Sequence, residues 1–393
     1  MLPGDGLLQL TPQGLYCPAA QAWIDPWRPV PRALITHAHA DHARPGCGEY
    51  WAVASSEGVL RQRLGAAIRV LPVDYDQVHR LGDARLSFHS AGHVLGSAQI
   101  RLEAGGESWL VSGDYKRCAD PSCTPFTPVT ADVLITEATF ALPIYRWRSG
   151  AAIAAEILAW WQAASDRPSL LSCYSFGKAQ RVLAELALLG VEEPVLLHGA
   201  VEALMEPYRQ AGVVFPPTEP LASVARGASL AGRLVIAPPQ AFRGRGTAAL
   251  AQAQTGFVSG WMAVRGARRR RGCERGFVLS DHADWPGLLQ TVRQSRARQV
   301  YVTHGQSDVL ARYLREVEGL CAAPLAASYG AERFEEGEGS EVPQAQQAAA
   351  AAPLASDVGS GVVNPDVRPP GRLPIPAAQS DALPPGASPE WVA

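Results

Sequence analysis

The string Thr36-His37-Ala38-His39-Ala40-Asp41-His42 places three imidazoles and one carboxylate within six residues, directly after the strand-like run Arg32-Ala33-Leu34-Ile35. In an extended or turning segment His37 and His39 point to the same side. Asp41 and His42 then follow at a bend or a helix start. This spacing offers two ligands to one metal ion and two to a neighbour. Imidazole nitrogen and carboxylate oxygen suit zinc best, with manganese or iron as alternatives.

Other ligand-type side chains stand at the ends of apolar runs. His93 lies in Ser90-Ala91-Gly92-His93-Val94-Leu95-Gly96, Asp114 ends Trp109-Leu110-Val111-Ser112-Gly113-Asp114, and His304 ends Gln299-Val300-Tyr301-Val302-Thr303-His304. Each has a glycine nearby, so each can be presented from the edge of a sheet. Taken singly, any of them would pass for an ordinary turn residue. Seen beside the first string, they extend a metal constellation.

The chain has 393 residues, 47% of them hydrophobic and 18% charged. That is enough apolar material for two or three domains with sizeable cores, and it excludes a wholly disordered chain. No apolar run approaches the roughly 18 residues of a membrane span. The first residues lack the cationic flank and apolar stretch of a signal peptide, so a cytoplasmic protein without membrane partners is expected. A net charge of −2 excludes a uniformly basic binder but not a local basic face. Of the 35 basic residues all but Lys116 and Lys178 are arginine. The seven cysteines form no CxxC pair, which reads as reduced, mostly structural thiols.

Short strand-like runs dominate the first part: Ala33–Thr36, Leu86–His89, Ala98–Leu102, Ser108–Ser112 and Val133–Thr136, with one helix at Ser56–Leu64. From about Gly150 the texture alternates. Helical periods over Ala151–Ala164, Gln180–Leu189 and Val201–Gln210 alternate with strands at Ser169–Tyr174, Val195–His198 and Leu234–Ala237, the pattern of a parallel-sheet module. Strand Gly276–Leu279, helix Pro286–Arg296, strand Gln299–Thr303 and helix Ser307–Val317 follow. One domain inserted into another produces this order. The expected division is 1–145, an inserted 146–272, a return segment 273–335, and a disordered Pro/Ala-rich tail over 336–393.

The HxHxDH string, Gly92-His93, Ser112-Gly113-Asp114 and His304-Gly305 together resemble the metallo-β-lactamase fold, over about residues 5 to 335. The fold implied is α+β: an αββα sandwich with metals at one edge. The resemblance implies one ion held by His37, His39 and His93, a second held by Asp41, His42 and His304, and Asp114 bridging them, with two Zn2+ or alternatively Mn2+ as cofactor. It gives Asp25 the part of bracing the ligand loop. The middle insertion resembles the β-CASP domain of nucleic-acid-processing members. Glu137, in Ile135-Thr136-Glu137-Ala138-Thr139, matches that branch's acidic motif, and His282, in Ser280-Asp281-His282-Ala283-Asp284, its histidine motif. Tyr16-Cys17-Pro18, Asp25-Pro26-Trp27-Arg28-Pro29, the run from Thr36 to Gly46, Ser259-Gly260-Trp261-Met262 and Ser280 to Trp285 resemble bacterial ligase-associated DNA exonucleases. The implied activity is a DNA exonuclease in repair, partnered by an ATP-dependent DNA ligase and a helicase. A histidine at the position of His304 is typical of RNA-processing members, which makes an RNA nuclease of the same fold the alternative.

Phosphodiester hydrolysis needs an activated water, neutralised phosphoryl oxygens and a proton for the leaving oxygen. The sequence assigns the proton to His282, oriented by Glu137, with Asp41 as the other catalytic side chain. Two segments are candidates for substrate contact. Arg265, Arg268, Arg269 and Arg270 lie in a glycine-flanked basic run suited to a phosphate backbone. Ser175, Gly177 and Lys178 lie between a strand and a helix, where free amides bind anions. His79, His89 and His198 lack motif contexts, and Trp160-Trp161 reads as helix core.

Overall fold

The structure, a computed structural model, describes residues 6–225, 227–242, 250, 252–266 and 272–325. The expected tail and Arg268, Arg269 and Arg270 lie outside the described residues. The described strands form three sheets, of six, seven and six strands. The first holds, in chain order, β1 (Gln9–Thr11), β2 (Gly14–Cys17), β3 (Ala22–Ile24), β4 (Arg32–Leu34), β5 (Glu49–Val53) and β6 (Val70–Val73). Its pairing is antiparallel up to β3 and parallel beyond it.

The second sheet begins with β7 (Val78–Leu81), β8 (Ala84–Ser90), β9 (Ala98–Ala104), β10 (Glu107–Val111) and β11 (Val133–Glu137). The chain then leaves it for the third sheet: β12 (Ser169–Ser172), β13 (Val195–Leu197), β14 (Thr218–Pro220), β15 (Leu234–Ala237), β16 (Gln254–Val258) and β17 (Arg275–Phe277). These are all parallel, in the order β14-β13-β15-β12-β16-β17. The chain returns to the second sheet with β18 (Gln299–Thr303) and β19 (Cys321–Pro324), which pair in parallel beside β11. The third sheet thus runs past residue 272, because Phe257 and Val258 of β16 pair with Gly276 and Phe277.

Two sheets share one core. Leu15, Ile24 and Leu34 of the first pack with Leu86, Ile100, Trp109, Ile135 and Tyr301 of the second. On the far side of the second sheet, Leu134, Val300 and Val302 are covered by Leu288 and Val292 of helix Trp285–Ser295 and by Leu310 and Leu314 of helix Ser307–Glu316. Every residue of β11 is buried, as expected of a strand covered on both faces. On the far side of the first sheet, Ala33, Tyr50 and Ala52 pack against Val59 and Leu60 of helix Glu57–Leu64, and also against Phe176, Leu204 and Tyr208 from the third-sheet region. A separate core joins the third sheet to helices Gly150–Gln162 and Lys178–Leu188, with Trp160 and Trp161 inside it.

The single helix expected over Val201–Gln210 is two short ones, Gly199–Glu202 and Met205–Gln210. Pro207 lacks the N–H an uninterrupted helix would need there, but it is tolerated in the first turn of a new one. Several short strands carry no clear sequence pattern, β1 to β3 and β16 among them. In β16 the middle position, Gly256, has no room for a larger residue: a Cβ there would meet Leu171, Phe277 and Trp160 at 3.0–3.1 Å.

Candidate metal centre

Topology brings the ligand-type residues to one edge. Strands β8, β10, β11 and β18 run the same way, since β9 is antiparallel to both β8 and β10 and the rest pair in parallel. Their C-terminal ends therefore deliver His93, Asp114, Glu137 and His304 to the same side. Gly113 lets the Asp114 loop close on the histidine string: it has φ +55, and a Cβ there would come within 2.7 Å of Thr36 Cβ. Gly305 does the same for His304, because a Cβ there would stand 2.4 Å from the Ala138 carbonyl oxygen.

Three groupings could hold a metal ion: His37, His39, His93 and Asp114; Asp41, His42 and His304; and Asp114, Glu137 and His282. Within each, the ligand atoms lie within 4.8 Å of one another. His39 Nδ1 and His93 Nε2 are 3.1 Å apart, close to the separation of about 3.3 Å expected for two nitrogens on one tetrahedral zinc. Asp114 Oδ2 lies 3.4 Å from His37 Nε2 and 3.4 Å from His42 Nε2. Its Oδ1 is buried without a hydrogen-bond partner among the described residues. A buried carboxylate oxygen left unsatisfied among imidazoles is what a cation would complete, so these residues fit one.

The histidines are held from behind. His42 Nδ1 donates to Asp25 Oδ2 at 2.7 Å, and the same carboxylate accepts from the Thr36 amide at 2.8 Å and the Thr36 hydroxyl at 2.6 Å. His93 Nδ1 donates to the Asp281 carbonyl oxygen at 2.7 Å. Each bond fixes the ring orientation, so that Nε2 is the nitrogen facing the site and the one that a metal would take.

Burial disfavours the imidazolium of His37, held to about 3, and of His39, held to about 4. His93 is pushed well below the usual histidine range by burial and by neighbouring His282. Burial acts against charged His42 as well, but Asp41, Asp114 and Asp25 outweigh it and hold that imidazolium well above the usual range. Burial would raise Asp114, but the neighbouring His42 and His37, each 3.4 Å away, hold it well below the usual carboxylate range.

His282 stands beside this group. Its ring centroid is 4.7 Å from that of His93, and its Nδ1 lies 3.0 Å from Glu137 Oε2. Glu137 is buried, and its Oε1 accepts from the Tyr115 amide at 2.8 Å.

The expected substrate contacts fare differently. Arg265 is exposed. Lys178 is 4% exposed, and its ammonium sits 2.7 Å from Asp281 Oδ2. It forms an internal ion pair with that carboxylate. Gly177 is buried and its amide is used by Gln180 Oε1 at 2.8 Å, while Ser175 is half-buried. The other lysine, Lys116, is fully buried too and pairs with Asp120. Arg181 completes the network, 3.4 Å from both Asp120 and Asp281. The pattern gave no sign of these buried charges, because lone Lys, Arg and Asp residues look alike in a sequence whether solvated or paired.

No family model matches the chain. It is 33% identical over 311 residues to a protein of Opitutus terrae (strain DSM 11246 / JCM 15787 / PB90-1) named a probable DNA ligase, covering 77% of this chain and 30% of that one. It is 38% identical over 73 residues to the endoribonuclease ysh1 of Emericella nidulans, covering 18% of this chain and 8% of that one. It is 29% identical over 144 residues to a ribonuclease of Thermus thermophilus, covering 30% of this chain and 33% of that one. The chain spans a third or less of the length of these curated relatives. It resembles the β-CASP branch of the metallo-β-lactamase fold, and the similarity to named nucleases accords with that resemblance. Among the described residues, no helix is long and apolar enough to cross a membrane.

Proposed function

We propose that the chain is a two-metal phosphodiesterase acting as a DNA exonuclease in repair, linked to an ATP-dependent DNA ligase. In this reading the first two sheets and their helices form a metallo-β-lactamase αββα sandwich, and the third sheet belongs to an inserted β-CASP module. The observation that carries the proposal is the Glu137–His282 pair, which stands against the His37–His39–His93–Asp114 group instead of apart from it. A hydrolase of small neutral substrates has no evident use for a histidine braced by a buried carboxylate at that place.

His37, His39 and His93 would hold one ion; Asp41, His42 and His304 would hold the second; Asp114 would face both. When bound, two Zn2+ ions, or alternatively Mn2+, supply Lewis acidity toward the phosphate and activation of a water. The chain's own residues do the rest. Asp25 and the Asp281 carbonyl keep His42 and His93 in the required tautomers. Glu137 orients His282 and favours its charged form, so that the opposite ring nitrogen can give a proton to the leaving oxygen.

DNA is favoured because the similarity to the protein named a DNA ligase extends over 77% of this chain. RNA is the second reading, supported by the relatives named ribonucleases. End-labelled single-stranded DNA and RNA of one sequence, offered to the zinc- or manganese-loaded chain, decide between them. A ladder ending in mononucleotides from DNA is expected. Cleavage of RNA alone moves the assignment to RNA, and cleavage of neither overturns the nuclease proposal.

A further inference from the structure

In the turn that carries His282, three successive carbonyl oxygens each accept a bond from a different part of the chain. Arg181 Nη1, on helix Lys178–Leu188, donates to that of Ser280. His93 Nδ1 donates to that of Asp281 at 2.7 Å. Trp147 Nε1, from the segment between β11 and helix Gly150–Gln162, donates to that of His282 at 2.9 Å. The His282 amide is held as well, by Ser280 Oγ at 3.1 Å. Connecting segments are ordinarily the less constrained parts of a fold. This one is pinned on both sides of a single side chain.

Arg181 is the costly member of the set. It is 1% exposed and shares its enclosure with Lys116, Lys178, Asp120 and Asp281. A buried ionic cluster adds little net stability over apolar side chains of the same volume, so stability alone does not account for it. A guanidinium supplies what neither an apolar chain nor an ammonium can, a rigid planar fork of donors. Arg181 Nη1 reaches the Ser280 carbonyl and also lies 3.4 Å from Asp281 Oδ1, while its Nε lies 3.4 Å from Asp120 Oδ2. Trp147 stands edge-on to Phe140, with ring centroids 4.9 Å apart, and Phe140 is in turn 6.0 Å from the ring of His282. The His282 side chain leaves this fixed backbone with Nδ1 already taken by Glu137. Its opposite nitrogen is thereby left one direction to face.

We infer that Arg181 and Trp147 are positioning residues for proton delivery, acting through the backbone of the 280–282 turn to set His282 against the leaving oxygen. This rests on the nuclease proposal and on His282 as proton donor. In that step the water oxygen bonds to phosphorus, the bond from phosphorus to the leaving sugar oxygen breaks, and the His282 proton passes to that oxygen. A reacting group about 1 Å out of place loses on the order of 10²-fold in rate, which is what a pinned turn prevents.

A leaving group that needs no proton separates positioning from support. The full zinc-loaded chain is offered an oligonucleotide and its analogue with sulfur in place of the leaving bridging oxygen, since a thiolate departs unprotonated. His282→Ala should lower the ratio of oxygen to sulfur cleavage rates by about 10²-fold or more. Arg181→Lys keeps the charge without the fork, and Trp147→Phe keeps a ring without the donor. Each should lower the ratio by about tenfold, through kcat and not KM, with zinc stoichiometry at the parent's value. Glu185→Gln alters a group 3.9 Å from Arg181 Nε and leaves the Ser280 bond in place, so it should keep the parent's ratio. A matching fall in Glu185→Gln would assign the effect to buried charge at large and overturn the part given to Arg181. An unchanged ratio in Arg181→Lys and Trp147→Phe, or loss of zinc in both, would overturn the inference and make them supports of the fold. A fall in one alone overturns the assignment of the other. If His282→Ala slows both substrates equally, His282 is not the donor and the inference falls with the nuclease proposal still standing. A parent chain that cuts neither substrate removes the nuclease proposal itself.

Discussion

His93 Nδ1 lies 2.7 Å from the carbonyl oxygen of Asp281, which joins a turn of the second sheet to a turn that follows the third. The Asp281 side chain is anchored in turn by Lys178 at 2.7 Å and by Arg181 at 3.4 Å. Burial would raise its carboxyl, but Lys178, Lys116 and Arg181 outweigh this and hold it far below the usual carboxylate range. Replacing Asp281 by Asn leaves buried cations undercompensated and should cost about 3–5 kcal/mol of stability, while the backbone carbonyl that braces His93 is retained. The sign of the pH dependence follows from the depressed carboxyl. Its contribution is complete above the unfolded value of about 3.9 and is lost only as pH falls through the lower folded value. Urea unfolding of both proteins should therefore show a constant difference from about pH 5 to 8. A difference that varied across that range would mean another group carries the effect.

His282 and Glu137 are assigned to proton delivery, so His282→Ala should slow cleavage on the order of 10²- to 10⁴-fold with metal content unchanged. Glu137→Gln keeps the hydrogen bond but not the charge, and should lower the pH above which the rate falls, on the alkaline limb of the profile. Because Asp114, Glu137 and His282 are themselves close enough to share an ion, metal analysis of the variant is the decisive measurement. If His282→Ala loses an ion, His282 is a ligand and not the acid.

The residues of the candidate metal groupings are legible in the sequence because their chemistry is local. His37 to His42 are contiguous, and His93, Asp114 and His304 each follow an apolar run that ends at the sheet edge. The strands β15 and β18 could be read residue for residue from unbroken apolar text. Less legible was anything defined by a distant partner. Lys178 and Asp281 are 103 residues apart in the chain and meet only in the folded structure, so the helix-start context suggests a phosphate contact and gives no sign of the ion pair. The strands of three or four residues near the start carry too few positions to establish a period of two.

Asp41 is half-buried, with Oδ2 3.5 Å from His42 Nε2. It is the one carboxylate in the group formed with His42 and His304. Asp41→Asn removes the anionic ligand and should abolish hydrolysis, lowering zinc stoichiometry from two toward one. Elemental analysis after gel filtration measures this directly. Two retained ions with undiminished turnover would reject the ligand scheme.

Asp25 adopts a left-handed backbone conformation, φ 43, that aims its carboxylate at Thr36 and His42 at once. Asp25→Ala would free His42 to adopt either tautomer and would leave the Thr36 amide without its acceptor. Metal affinity should fall about 10- to 100-fold, with the loss confined to the ion that His42 holds. Competition with a chelator of known strength separates the two ions. Equal weakening of both would show that Asp25 supports the loop as a whole and not His42 in particular.

The metal-free chain should lose stability as pH falls from about 6.5. Burial first, and then in each case neighbouring charges, leave His37 at about 3, His39 at about 4 and His93 well below the usual range. The unfolded chain takes up protons at these positions near about pH 6.5, before the folded chain does. Stability is therefore complete above that pH and declines below it, by up to about 1.4 kcal/mol per pH unit for each histidine protonated only when unfolded. His42 has the opposite sign. Its folded value is raised, so it adds stability below about pH 6.5, and that contribution fades as pH rises through the folded value. Chemical denaturation in a strong chelator between about pH 4.5 and 8 should show the decline toward acid. With zinc bound the curve should lie higher near neutrality and converge on the chelated curve as protons displace the metal. A chelated chain equally stable at about pH 5 and pH 7 would mean that those three imidazoles are not enclosed as described.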